Sequence, residues 1–425
     1  MTDFDKKRRQ FLFSSLATGA ALLLPELAFA NQSSNNLKTA AKSVILLWLD
    51  GAPSQIDTFD PKPGRKNGGE FKAIETTVPG LLFSEHLPRL AELAKEFSVI
   101  RSLHSKEANH DRGSYLLHTG YLPQAGIIHP STGSVISLES PNVVELPDYV
   151  NIGSLYGSSA IGRGPGFLSQ KHSPFVITNS INPVQALSVL NEQTNAITSL
   201  SIQLDEQFVK QHSSRNILKR SLFYQQSLIL QGSSFEKALM IHEESEELIK
   251  AYTGENSGNR SEFGMGCLAA RRLVQAGVRF VEVGLGGWDT HQDNFNKTRD
   301  LCEILDPAFS ALIKDLKKNG LYESTLVVCM GEFGRTPIIN PANGRDHWSK
   351  NFCAVLAGGP ISKGQVIGET DVDGMEIVRD PISVPDLIAT IYQAVGISPA
   401  KKFQREDTRL VKYTNDGQPI SNLLS

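Results

Sequence analysis

The sequence predicts an α/β fold, a three-layer sandwich with a mostly parallel central sheet and helices on both faces. Three observations carry this expectation. Short apolar, β-branched runs alternate with longer helical patterns, the order that builds parallel sheets. Glycines close two of the helical patterns, Gly277 and Gly320, where a left-handed residue is wanted. The buried runs also deliver carboxylates at their C-terminal ends, the edge at which ligands bind in open parallel sheets.

The clearest strands are SVILLWL (43–49), FSVIRSL (97–103), VRFVEVG (278–284), TLVVCMG (325–331) and FCAVLAG (352–358). The clearest helices cover 216–252, 261–276, 294–319 and 384–395. Residues 120–215 have mixed signals and many Gly, Pro and Ser, and are expected to form an insertion or cap over the main sheet. One large domain over 43–425 accounts for the rest.

Residues 1–30 stand apart from that domain. A charged stretch, MTDFDKKRRQ, runs into the apolar FLFSSLATGAALLLP and closes on Ala28-Phe29-Ala30, the order of an export signal. The apolar part is shorter than the ~20 residues that cross a bilayer. Arg8 and Arg9, followed by Phe11 and Leu12, resemble the twin-arginine signal that engages the export machinery for folded proteins. The expectation is a periplasmic or secreted protein that begins near Asn31, with 31–42 as a polar lead-in and no integral membrane segment in the mature form.

A formal net charge of −3 gives no basic field of the kind that nucleic acid requires, so no nucleic-acid partner is expected. Cys267, Cys302, Cys329 and Cys353 have no CxxC spacing, which argues for buried free thiols over a zinc–thiolate site, with a disulfide as the alternative.

The first strand ends in Asp50-Gly51, the third leads through Gly286-Gly287-Trp288 to Asp289 and His291, and the fourth leads to Glu332. Asp346-His347, between the fourth and fifth strands, can reach the same edge. Such acids and histidines from separate strand ends make an oxygen and nitrogen ligand set for a divalent metal: Zn, Mn, Mg or Ca. Each also has a plainer reading, as a turn former, cap or surface residue, and Asp293 reads as the N-cap of the next helix.

The motifs WLDGAPSQIDTFDPKPG, NHDRGSYLLHTGYLP, GGWDTHQDN, MGEFGRTP and NGRDHW, in this order, resemble the exported, sulfatase-like group known as domain of unknown function 1501. That group is similar to the alkaline phosphatase and sulfatase superfamily. The resemblance implies that Asp50 takes the place of the first-strand metal ligand, Asp289 and His291 the middle ligand cluster, Glu332 the penultimate acid and His347 the last ligand histidine. It also puts His110 where the superfamily carries its nucleophile. Two departures stand out: Glu332-Phe333 replaces the usual Asp-His or Asp-Asn, and the Pro and Arg that accompany formylglycine do not follow His110.

The implied function is metal-dependent hydrolysis of phosphate or sulfate esters on an exported or cell-envelope substrate. The nucleophile would be a metal-held water, His110, or one of Ser105 and Ser114; alternatively His110 is itself a ligand. Arg112, Arg335 and Arg345 are candidates to clamp the anion, or else form fold-stabilising ion pairs. The alternative function is a non-catalytic member that binds an anionic ligand or a protein partner. A general esterase is the weaker third choice, because no GxSxG elbow occurs.

Overall fold

Strand β1 (Ser43–Leu49) is buried at every position, because its side chains pack alternately into two cores. Ile45, Leu47 and Leu49 face one, and Val44, Leu46 and Trp48 the other. At about 1.5–3 kcal/mol for each fully buried large apolar side chain, this double anchoring makes β1 the spine of the fold. In this computed structural model the described residues are 40–425, except 142–145, 154–160, 189–203, 205–216, 218–229, 231, 255–260 and 406–407. The expected export signal and nearly all of the polar lead-in lie outside the described residues.

Eight further strands join β1 in the central sheet: β2 (Phe97–His104), β3 (Tyr149–Ile152), β4 (Phe175–Ile177), β5 (Phe280–Leu285), β6 (Thr325–Met330), β7 (Phe352–Ala357), β8 (Val366–Ile367) and β9 (Ile382–Ser383). Their order is β8-β2-β7-β6-β1-β5-β3-β4, with β9 also paired to β2. Every pairing is parallel except those of β7 with β2 and β6. On one face lie α3 (Ser261–Ala276) and α4 (Asn294–Lys318), which share a core with Ile45, Leu47 and Leu49. On the other lie α1 (His110–Thr119), α2 (Thr132–Glu139) and α5 (Val384–Ala394). The expected three layers are present.

Two expectations change. The stretch 120–215 contributes β3 and β4 to the sheet itself, so its described part is not only an insertion or cap. The helix expected over 216–252 is broken in its described part into Ser234–Leu239, a 3-10 turn at Ile241–Glu243, and Glu246–Thr253. Ser233 and Ser245 cap the N–H groups of new helices there, and so restart the chain. Asp293 does sit at the N-cap of α4, but in a left-handed conformation and with no side-chain capping bond.

Gly277 and Gly320 have φ of 112° and 68°, as helix-terminating glycines should. All four cysteines are free, with Cys267, Cys302 and Cys329 buried. No helix among the described residues is long and apolar enough to cross a membrane.

Candidate metal centre

The parallel strands bring their C-terminal ends to one edge of the sheet, and β7, running the other way, begins there. Two glycines let the chain close tightly around this edge. A Cβ on Gly51, just after β1, would lie 2.5 Å from the Asp289 nitrogen, and one on Gly344 would lie 1.9 Å from the His291 carbonyl oxygen. No side chain fits either contact. Gly51 thus seats the end of β1 against Asp289, and Gly344 seats the loop before His347 against His291.

Asp289 Oδ1 is the focus. His291 Nε2 lies 3.2 Å from it, His110 Nε2 3.4 Å and His347 Nε2 3.5 Å. Atoms of His110, Asp289 and His347 all fall within 4.8 Å of one another, and His291 Nε2 is 2.9 Å from His347 Nε2. Each imidazole uses its other nitrogen on an acceptor. His110 Nδ1 faces Glu332 Oε1 at 2.5 Å, His291 Nδ1 faces Asp346 Oδ1 at 3.0 Å, and His347 Nδ1 faces the Ala108 carbonyl at 2.6 Å. In a neutral ring a donating Nδ1 leaves Nε2 as a lone pair, so three lone pairs converge on one carboxylate oxygen. His110 Nε2 is buried and has no hydrogen-bond partner among the described residues. This donor set fits a divalent metal.

Electrostatics follow from the same contacts. Partial burial works against ionisation of Asp289, but the hydrogen bond and charge of Arg335, with His110 and His291, hold its carboxyl below the usual range. Burial would lower the His110 pKa, yet Glu332 and then Asp289 raise it above the ordinary histidine value. His347 is lowered, first by burial and then by the charges of Arg335, His110 and His291, which outweigh its bond to Ala108.

The sequence candidates therefore separate into three groups. Asp289, His291, His347 and His110 lie together, each histidine through its Nε2. Glu332 and Asp346 lie behind the histidines, at hydrogen-bond distance from His110 Nδ1 and His291 Nδ1. Asp50 accepts from Trp48 Nε1 at 3.1 Å, and its backbone accepts from Trp288.

The arginines do not line up as an anion clamp. Arg345 is fully buried and gives its Nε and Nη2 to Asp57, at 2.7 and 2.9 Å, and further donors to the carbonyls of Thr336, Pro337 and Asn67. Arg335 is also buried, with donors on Asp289 and on the carbonyls of Gly51, Ala52 and Arg345. Arg112 forms a two-point pair with Glu107, at 2.8 and 2.7 Å. Ser114 is fully buried, and the Ser105 hydroxyl is engaged with the Glu107 backbone. Asp57 and Glu107 were not among the expected site residues; Asp57 stood in the quoted first motif.

A family profile described as "Protein of unknown function (DUF1501)" matches residues 41–424. Comparison with curated proteins gives no match. Among solved structures the chain is similar to the lipoteichoic acid synthase LtaP from Listeria monocytogenes, at 9% identity, with 88% of this chain and 75% of that chain covered and a TM-score of 0.41. It is similar to the PsFucS1 sulfatase from Pseudoalteromonas sp., at 14% identity, with 85% and 68% covered and a TM-score of 0.40. The alkaline phosphatase from the Antarctic bacterium TAB5 is a third, at 14% identity, with 84% and 99% covered and a TM-score of 0.36.

Proposed function

The chain belongs to the DUF1501 family, and on the site that it carries we propose that it is a metal-dependent hydrolase of phosphate or sulfate esters. The observation that supports this reading is the convergence of the His110, His291 and His347 Nε2 atoms on Asp289 Oδ1. His110, His347 and Asp289 would hold the ion, with His291 as a further ligand. A nitrogen-rich set suits zinc better than calcium, magnesium or manganese, which favour oxygen. When bound, such an ion supplies Lewis acidity and lowers the pKa of water that it holds.

The remaining work falls to the chain. Arg335 holds Asp289 in place and balances its charge. Glu332, in the grip of the Gly51 N–H at 3.0 Å, fixes the tautomer and orientation of His110. His110 is the first residue of α1, and the first-turn N–H groups of a helix, together with its dipole, favour an anion there. The centre is open, with the Asp289 side chain 49% and the His291 side chain 42% exposed, so an ester group carried on a large molecule can reach it. The export signal read from the sequence supports a substrate outside the cytoplasm, in the periplasm, the envelope or beyond.

The test is to purify the protein from a host with folded-protein export, measure bound metals, and assay phosphate and sulfate esters with parent and His110→Ala. Stoichiometric metal with ester cleavage that His110→Ala abolishes is the expected result. Absence of any bound divalent ion after incubation with zinc or manganese would overturn the reading.

A second reading, an anion- or protein-binding member without turnover, is favoured by the engagement of all three arginines elsewhere. Metal binding with no cleavage of any ester, but with measurable phosphate or sulfate binding, would select it.

A further inference from the structure

We propose that Asp57 is the positioning residue of this centre, the side chain through which both ligand-bearing loops are held in register. The inference rests on the metal-site reading above and assigns a role that the reading does not need.

Asp57 follows β1 in the chain and is fully buried. Its Oδ1 accepts from Arg345 Nη2 at 2.9 Å, and its Oδ2 accepts from Arg345 Nε at 2.7 Å and from Asn294 Nδ2 at 2.8 Å. Arg345 stands two residues before His347, and Asn294 three residues after His291. The two partners are joined again on the far side. Thr290 Oγ1 donates to Asn294 Oδ1 at 2.6 Å, and the Arg345 N–H donates to the Thr290 carbonyl at 3.1 Å.

The hydrogen bonds thus close a ring, Asp57–Arg345–Thr290–Asn294–Asp57. One side of the ring carries Asp289 and His291, and the other carries Asp346 and His347. Asp57, Asn294 and Arg345 are 0% exposed and Thr290 1%, so water does not compete for these bonds. A two-point guanidinium–carboxylate pair fixes direction as well as distance. Groups that orient ligands from behind commonly change metal affinity as strongly as they change structure.

A merely structural buried network provides the contrast. Tyr252 OH donates to Asp315 Oδ2 at 3.0 Å near the other end of α4, and Asp315 pairs with Arg271 at 2.7 Å. That cluster touches no ligand loop.

The experiment compares the mature parent protein with Asp57→Asn, Asn294→Ala and Tyr252→Phe. Zinc affinity is measured by competition with a chelating dye, cobalt coordination by visible absorption, and Tm by thermal unfolding. Asp57→Asn and Asn294→Ala should bind zinc about 10- to 100-fold more weakly, with a changed cobalt spectrum. Tyr252→Phe should lower Tm and leave both metal readouts unchanged. Asn294→Ala keeps the Asp57–Arg345 pair and decides the matter if Asp57→Asn does not fold. Parent-like zinc affinity and cobalt spectrum in the folded variants would overturn the positioning role while leaving the metal centre intact. A parent that binds neither ion would overturn the centre itself, and this inference with it.

Discussion

His291 and His347 point their Nε2 atoms at each other across 2.9 Å, while Asp346 and the Ala108 carbonyl occupy the opposite nitrogens. Two facing lone pairs repel at that distance. A proton or a metal cation between the rings relieves the repulsion, and Asp289 Oδ1, within 3.5 Å of both, adds attraction for either.

Removal of a ring should therefore show in metal content. His347→Ala loses an Nε2 from the three-residue cluster, and His291→Ala an outer one. Elemental analysis after dialysis should find metal lost from His347→Ala and reduced less in His291→Ala. Equal, full occupancy in both would count against the centre.

Protons and metal compete for the same nitrogens, so affinity should fall as pH falls. Because Glu332 and Asp289 raise the His110 pKa against the effect of burial, proton competition at His110 should begin above the ordinary histidine value of ~6.5. Glu332→Gln removes the largest of the raising influences. Zinc titrations between pH 5 and 8 should place the loss of binding by this variant at lower pH than in the parent, on top of an overall weakening of about tenfold. An unshifted profile would refute the coupling.

Arg345 and Arg112 should behave oppositely. Arg345→Ala strands the buried Asp57 carboxylate and should cost about 3–5 kcal/mol of stability, visible in urea unfolding. Arg112→Ala breaks a half-exposed pair and should cost no more than about 1 kcal/mol. A raised KM with unchanged stability in Arg345→Ala would restore the anion-clamp role.

Acid should weaken the fold in two windows. Burial and nearby charge hold His129 and His172 down to about 4, so the native state binds fewer protons than the unfolded chain below ~6.5. Stability should fall as pH drops from there toward 4. Glu282 is fully buried, but Arg163 and His118 hold its carboxyl down to about 2. Its contribution is present above the unfolded value of ~4.3 and should be lost as pH falls through the range below it. Urea midpoints at pH 7, 5 and 3 check both; a flat midpoint between pH 7 and 5 would rule out the histidine window.

Export is tested outside the described residues. Changing Arg8 and Arg9 to lysine should strand precursor in the cytoplasm, as read by cell fractionation. Normal processing of the double variant would remove the twin-arginine assignment.

Much of the fold was legible because β1, β2, β5, β6 and β7 are long apolar runs, and their ends announce Asp289, His291 and His347. The strands β3 and β4 escaped because YVNI and FVI are too short to show a pattern amid glycine and proline. The contacts of Glu332 and Asp346 with His110 and His291 are not legible, because a carboxylate that holds a metal and one that holds a histidine look alike in sequence. The partners of the arginines are hidden for a related reason. Arg345 meets its partner 288 positions away, and no local spacing reveals that Asp57 takes its charge.

The reversed direction of β7 governs how the chain is routed. A parallel neighbour of β6 would need a crossover of a dozen or more residues to return to the opposite edge before starting. Because β7 starts where β6 leaves off, the whole connection from Gly331 to Asn351 stays on one side of the sheet. Glu332, Arg335, Arg345, Asp346 and His347 all belong to that single excursion. One inverted strand thus turns what would have been a transit helix into a contiguous cassette, and exchanging that cassette alone would rebuild the His347 side of the centre without altering the path of any other strand.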